Sequence, residues 1–278
     1  MSDVIKKLVA VFSVTVTLLT GCSDSGTADS EETALSQVSE NVTVHEEAIS
    51  EETEENDIPK INVPMTKEDY DIYFPGNDKD NVSAADIAEI TVTSGHLTAL
   101  DCFYYAFEGN ENIPYYTESV PNGSYKVTAS ISDNGIAAAL VSFTDKEPSY
   151  FRMALYEGQD SSQLEEGSYY GFGVDAGLAV IGDPKAVTAY LDYQDKFHES
   201  DPSAEFYTDH LEEMIEAGYE KYPGINVDFI DYIVPGTEQH IAIMESGWGD
   251  GVYPVYFGYD ENEQLCCAVA QYIYTVDL

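Results

Sequence analysis

Gly123 to Thr144 reads Gly-Ser-Tyr-Lys-Val-Thr-Ala-Ser-Ile-Ser-Asp-Asn-Gly-Ile-Ala-Ala-Ala-Leu-Val-Ser-Phe-Thr. From Ser124 to Ser132 the pattern alternates, with Tyr125, Val127, Ala129 and Ile131 on one face, as a half-buried strand requires. Asp133-Asn134-Gly135 is a tight-turn sequence, and Ile136 to Thr144 runs back. Pattern and turn chemistry together predict a β-hairpin, so the sheet starts antiparallel. Pro121-Asn122-Gly123 marks the turn that leads into it.

Upstream, Ser83 is expected to cap a short helical turn over Ala84 to Ala88. Ile90 to Leu97 is read as a strand turning at Ser94-Gly95, and Leu100 to Tyr104 continues extended. Downstream, Pro148 precedes a strand over Tyr150 to Tyr156. Gly167 to Ile181 reads as a glycine-rich, close-packed strand. Its Gly171-x-Gly173-x-x-Ala176 mimics a dinucleotide fingerprint, but no strand leads into it and no helix starts at it, as that fold needs.

Asp183-Pro184 is a cap and first-turn pair that opens a helix to about Phe197. Asp201-Pro202 repeats the device, and Phe206, Leu211, Met214, Ile215 and Tyr222 then keep helical spacing until Pro223-Gly224. Strands follow at Val227 to Val234, Gln239 to Glu245, Val252 to Gly258 and Leu265 to Val276, with Asp260 to Glu263 turning the last pair. The order predicts an α+β fold, a mainly antiparallel β sheet with two helices inserted between strands in the second half.

A second stretch concentrates the special residues. Glu245 to Gly258 holds the chain's single tryptophan and four glycines. Gly247, Gly249 and Gly251 at alternate positions read as a sharply folded loop, because glycine serves where the backbone needs positive φ or close approach. Trp248 and Asp250 sit on that loop.

The formal charge of the 278-residue chain is −41, and residues 61–278 alone carry 39 acids against 8 bases. Such a surface repels phosphate backbones, so nucleic acid is excluded as a partner; a cationic protein or peptide fits it better. Residues 1–22 read as an export signal: Lys6 and Lys7, an apolar run from Leu8 to Thr20 too short to span a bilayer, then Leu19-Thr20-Gly21-Cys22. That ending resembles the bacterial lipobox, which implies cleavage before Cys22, lipidation (palmitate) of its thiol and attachment to the outer face of the cell membrane. Residues 23–60, with the run Glu51-Glu52-Thr53-Glu54-Glu55, read as a disordered acidic tether, and residues 61–278 as one globular domain. Cys102, Cys266 and Cys267 remain. Either Cys102 bridges one of the adjacent pair, or all three are buried thiols.

Four blocks of the chain resemble the domain-of-unknown-function family 4241 (DUF4241). They are Ser-Gly-x-Leu-x-Ala-x-Asp at Ser94 to Asp101, Pro-x-Gly-x-Tyr-x-Val at Pro121 to Val127, Gly-x-Gly-Val-Asp-Ala-Gly at Gly171 to Gly177, and Ser-Gly-Trp-Gly-Asp-Gly-x-Tyr-Pro-x-Tyr at Ser246 to Tyr256. They follow the family's order and span most of residues 85–278. The chain departs from the family's pattern at Leu178-Ala179-Val180-Ile181 and at Gln271-Tyr272. The resemblance implies a domain identity and no reaction.

The candidate ligand or loop residues are Asp101, Asp175, Gly177, Glu245, Ser246, Gly247, Trp248, Gly249, Asp250, Gly251 and Tyr253. Two of these carboxylates brought together would hold a divalent cation, Ca²⁺ being the fitting one, or act as an acid–base pair. The bland alternative has Asp250 bonding its own loop and Trp248 packed in the core. Asp78 and Asp80 begin like a calcium loop, but Val82 breaks the pattern. No nucleophile elbow or zinc-binding pattern is present, so no catalytic residue and no cofactor is assigned. The function expected is a binding or interaction module presenting Trp248 and Tyr253. Alternatives are an immunity-type or envelope-protective protein that sequesters a basic partner, and a cation-dependent hydrolase using Asp175 and Asp250.

Overall fold

The computed structural model describes residues 65–75, 81–104, 112–165 and 167–278, all within one compact unit spanning Asn56–Leu278. The predicted hairpin is present: β3 (Gly123–Ser132) and β4 (Gly135–Ser142) pair antiparallel around a two-residue turn, with Ser132 opposite Gly135. It forms the middle of a six-stranded sheet. On one side lies β1 (Val82–Val92); on the other lie β12 (Leu265–Gln271), β11 (Val255–Tyr259) and β5 (Tyr150–Met153), in the order β1-β3-β4-β12-β11-β5.

A four-stranded sheet takes β2 (Thr98–Asp101), β7 (Leu178–Gly182), β9 (His240–Glu245) and β8 (Phe229–Ile233) in the order β2-β7-β9-β8. A separate ribbon pairs β10 (Gly251–Tyr253) with β6 (Phe172–Val174). Every pairing between these strands is antiparallel.

The two larger sheets face each other. Val127, Ala129 and Ala268 of one share a core with Ala179, Ile181 and Ala242 of the other. The alternate residues of β7, Leu178 and Val180, join Tyr190, Phe206, Leu211 and Ile215 from the helical segment instead. Both faces of β7 are therefore covered, and its five residues are all buried. That accounts for its unbroken apolar run, since a strand buried on both faces has no reason to alternate. The outer face of the six-stranded sheet is capped by α1 (Lys67–Tyr73), whose Tyr73 packs with Leu140, Tyr256 and Val269.

Helix α1 begins at Thr66, whose hydroxyl accepts from the Asp69 amide while the Asp69 carboxylate accepts from the Thr66 amide, a complete capping box. The helix packs Tyr73 into a buried site against the sheet. Helix α2 (Pro184–Ser200) is capped by Asp183 with Pro184 in its first turn, as predicted. The segment then enters a π turn at Tyr207–Leu211 and continues as α3 (Glu212–Lys221).

Several expectations are corrected. Residues Ala84 to Ala88 form no helical turn; they belong to β1 and pair with β3 from Val82 opposite Ser132 to Val92 opposite Gly123. Cross-strand partners outweigh the intrinsic preference of alanine. Gly167 to Ile181 is not one strand: β6 and β7 belong to different sheets and are separated by a turn, with Gly177 at φ +70°. Val252 to Gly258 is likewise split between β10 and β11 at Pro254, which has no N–H to continue a ladder. Asp201-Pro202 starts no helix. Asp201 ends α2, and its carboxylate accepts from the Ser203 amide and hydroxyl. The strand after Pro148 ends at Met153, and β12 ends at Gln271. Cys102, Cys266 and Cys267 are all free and buried, Cys102 in the cluster beside the helices and the other two on the far side of the six-stranded sheet. Asp78 and Asp80, Cys22 and residues 23–60 lie outside the described residues.

Candidate functional site

The central loop follows β9. Ser246 is fully buried, and its amide donates to the Gly177 carbonyl at 3.0 Å. Its hydroxyl donates to the Gly249 carbonyl at 2.8 Å, and the Gly249 amide returns to the Ser246 carbonyl at 2.9 Å. The Tyr253 hydroxyl also donates to the Gly249 carbonyl, at 2.7 Å. Burial pushes the Tyr253 phenol up to about 12, so it remains a donor at neutral pH. The loop is thus closed by Ser246 and Tyr253, not by Asp250, whose side chain makes no hydrogen bond to the described residues.

The glycines have separate reasons. Gly247 has φ +54°, and a Cβ there would lie 2.8 Å from Ile273 Cγ1 and 2.9 Å from Tyr272 Cβ. Gly249 has φ +93° with open space around it, so its requirement is conformational alone. Gly177 approaches it from the facing turn, its Cβ position 3.8 Å from the Gly249 Cα.

Two of the candidate carboxylates are engaged by backbone. Asp101 Oδ2 accepts from the amides of Asp175 and Ala176 at 2.6 and 2.8 Å, and Oδ1 accepts from Phe103 at 2.7 Å. It holds the β6–β7 turn against the end of β2. Glu245 accepts from Ile136 at 3.0 Å and from Asp228 at 3.1 Å, tying the hairpin turn to the start of β8. Burial raises the Glu245 carboxyl, and the two amides only partly oppose this.

Asp175 and Asp250 are exposed. The ribbon pairing ends with Val174 opposite Gly251, so Asp175 and Asp250 both adjoin the same end of the ribbon. Trp248 is 61% exposed, and Val252 is also exposed. Trp248 is therefore not a core residue, and Tyr253, at 6%, is not presented to a partner. Among the described residues no group of three or more His, Cys, Asp or Glu side chains is placed to share a metal ion.

The four sequence blocks form one connected assembly. Gly95, with φ +80°, accepts from the Val120 amide at 2.8 Å, beside Pro121. Asp101 bonds to Asp175 and Ala176, and Gly177 bonds to Ser246. A comparison with protein-family models matches residues 90–270 to "Protein of unknown function (DUF4241)". The chain belongs to the DUF4241 family. No curated protein and no solved structure matches it.

The stretches Leu178 to Ile181 and Gln271-Tyr272 are packed positions. Leu178 to Ile181 fill β7, and Gln271 is buried with its amide donating to the Tyr73 hydroxyl at 2.7 Å. Sequence reasoning assigned Asp183 only to the helix cap. In the structure it is fully buried, and besides the Lys185 amide it accepts from those of Thr93 and Ser94 at 2.6 and 2.5 Å. It pins the β1–β2 turn to the start of α2. Burial would raise its carboxyl, but the amides outweigh that and hold it below the usual carboxylate range. A long-range role of this kind leaves no local pattern in the chain.

Proposed function

We propose that the protein is a binding module anchored by lipid to the outer face of the cell membrane, and that its Trp248 loop takes a basic partner. The observation that carries this reading is the exposure of Trp248 on a loop whose every other anchor is buried or bonded. Exposing a large aromatic side chain forgoes its burial energy, and a fixed loop presents it without further ordering cost on binding. The exposed carboxylates Asp175 and Asp250, which adjoin the same end of the ribbon, support the choice of a cationic partner. Like charges at one end of a ribbon repel, and a cationic partner relieves that repulsion. The indole face adds a cation–π contact. The anchoring half of the proposal rests on the sequence that ends at Cys22.

Titration with oligolysine and oligoarginine peptides, read by calorimetry at low and high salt, tests the loop. Binding is expected to weaken steeply with salt and to be lost in Trp248→Ala and in Asp175→Asn/Asp250→Asn. Undiminished binding by Trp248→Ala would refute the reading. The anchor is tested separately by labelling with a palmitate analogue and by fractionation. Cys22→Ser is expected to lose the label and leave the membrane fraction.

A further inference from the structure

Strand β5 is the last strand of the six-stranded sheet, and among the described residues no strand pairs with part of its outer edge. The Ala154 amide donates to Val255 on β11 at 2.8 Å. Antiparallel ladders alternate, so Arg152 also directs its backbone toward β11, while Phe151, Met153 and Leu155 direct theirs outward. The structure agrees at Leu155, whose carbonyl accepts from the Thr117 amide on the outer side at 2.9 Å. That neighbouring segment pairs at Tyr116 and Thr117 only. Among the described residues no strand continues the ladder past Met153 and Phe151.

A cavity of about 560 Å³ lies along this open edge, lined by five consecutive residues, Phe151 to Leu155, with Leu164 and Tyr169 among those on its rim. Tyr256 and Phe257 of β11, which face opposite sides of the sheet, line it as well, so the cavity reaches around the sheet at this edge. The volume falls in the range of sites that hold ligands. Arg152, the chain's only arginine, is at this edge. Its guanidinium is held over the stacked rings of Tyr150 and Tyr259, 5.2 and 4.8 Å from their centroids. Among the described residues its ion-pair partner is Glu263 at 3.8 Å, and both side chains are more than half exposed, so this pair engages the guanidinium weakly.

We propose that the β5 edge is a second binding site, which takes an extended peptide as an added strand and pairs a peptide carboxylate with Arg152. The backbone groups of Phe151 and Met153 supply the ladder. Arg152 lies at the position where an antiparallel partner brings side chains closest. A second copy of this chain is a poor occupant. Pairing β5 with itself would bring two Arg152 side chains together between two bodies that each carry a formal charge of −41.

The test is selection of random heptapeptides displayed on phage against the purified full-length chain, with the Arg152→Gln chain as the counter-target. Enriched peptides are expected to alternate β-branched residues with a Glu or Asp at one fixed position. Resynthesised, they should bind Arg152→Gln about fivefold more weakly. N-methylation at alternate peptide amides should weaken binding to the unaltered protein by about tenfold, in one register only. Absence of enrichment over Arg152→Gln would overturn the proposal, as would N-methylated peptides that bind equally in both registers; Arg152 would then only blunt the edge. Trp248→Ala should leave this binding unchanged, which separates the site from the central loop.

Discussion

Substituting alanine at two neighbouring glycines separates steric from conformational demands in the central loop. At Gly247 the added Cβ would sit 2.8 Å from Ile273 Cγ1 and 2.9 Å from Tyr272 Cβ, and both residues are buried and have little room to retreat. Overpacking of that kind costs about 1–3 kcal/mol, and an alanine at φ +54° adds about 1 kcal/mol. Gly247→Ala should therefore cost about 2–4 kcal/mol. At Gly249 nothing lies within 4 Å of the added carbon, so only the conformational cost remains, about 1–2 kcal/mol. Trp248→Ala, between them, should stay within about 0.5 kcal/mol because the side chain is exposed. The assay is urea unfolding followed by far-ultraviolet circular dichroism, with the dependence on urea unchanged across the set. For a domain of this size the Gly247→Ala loss corresponds to a melting shift of about 4–16 °C. A Gly249→Ala protein as unstable as Gly247→Ala would refute the claim that contact with Tyr272 and Ile273 sets the choice of glycine.

Other outcomes follow from individual residues. Trp248 is the only tryptophan, so its emission reports this loop alone; caesium ions should quench it more efficiently than iodide because the surface is strongly acidic and the exposed Asp250 is two residues away, and the difference should shrink in Asp250→Asn. Asp250→Asn alone should change stability by no more than about 0.5 kcal/mol because the side chain is exposed, measured by urea unfolding. The Asp183 carboxyl is held below its unfolded value, so its contribution is present above about pH 4 and is lost as pH falls through the folded value. Asp183→Asn should accordingly destabilise the protein by about 1.5–3 kcal/mol at neutral pH, with the gap closing in acid. Cys102, Cys266 and Cys267 should resist alkylation in the folded protein and react together on unfolding, because burial raises the Cys102 thiol and pushes that of Cys267 up to about 12.

Much of the architecture was legible in the chain. The Asp133-Asn134-Gly135 turn between two apolar runs determined the central hairpin, and Asp183-Pro184 marked the start of α2. These features are local, because the turn chemistry and the cap act within a few residues of themselves. The glycine-rich loop at Ser246 to Gly251 was legible for the same reason, since positive φ leaves its mark at single positions.

Only the tertiary structure decided which partner each segment met. Ala84 to Ala88 became strand because β3 lay beside it, and Thr66 to Tyr73 became helix because a buried site received Tyr73. The apolar stretch around Pro254 was divided between two sheets whose order no local pattern encodes. The same holds for the acids. Asp101, Asp183 and Glu245 look like Asp175 and Asp250 in the sequence, yet the first three accept hydrogen bonds from amides brought from as far as 109 residues away, and the last two face solvent. The sequence by itself determined the Asp133-Asn134-Gly135 turn, the Asp183 cap and the charge. The fold decided which carboxylates hold the structure together and which remain available to a partner, because an amide donor reaches a carboxylate only when the packing of distant strands brings the two together.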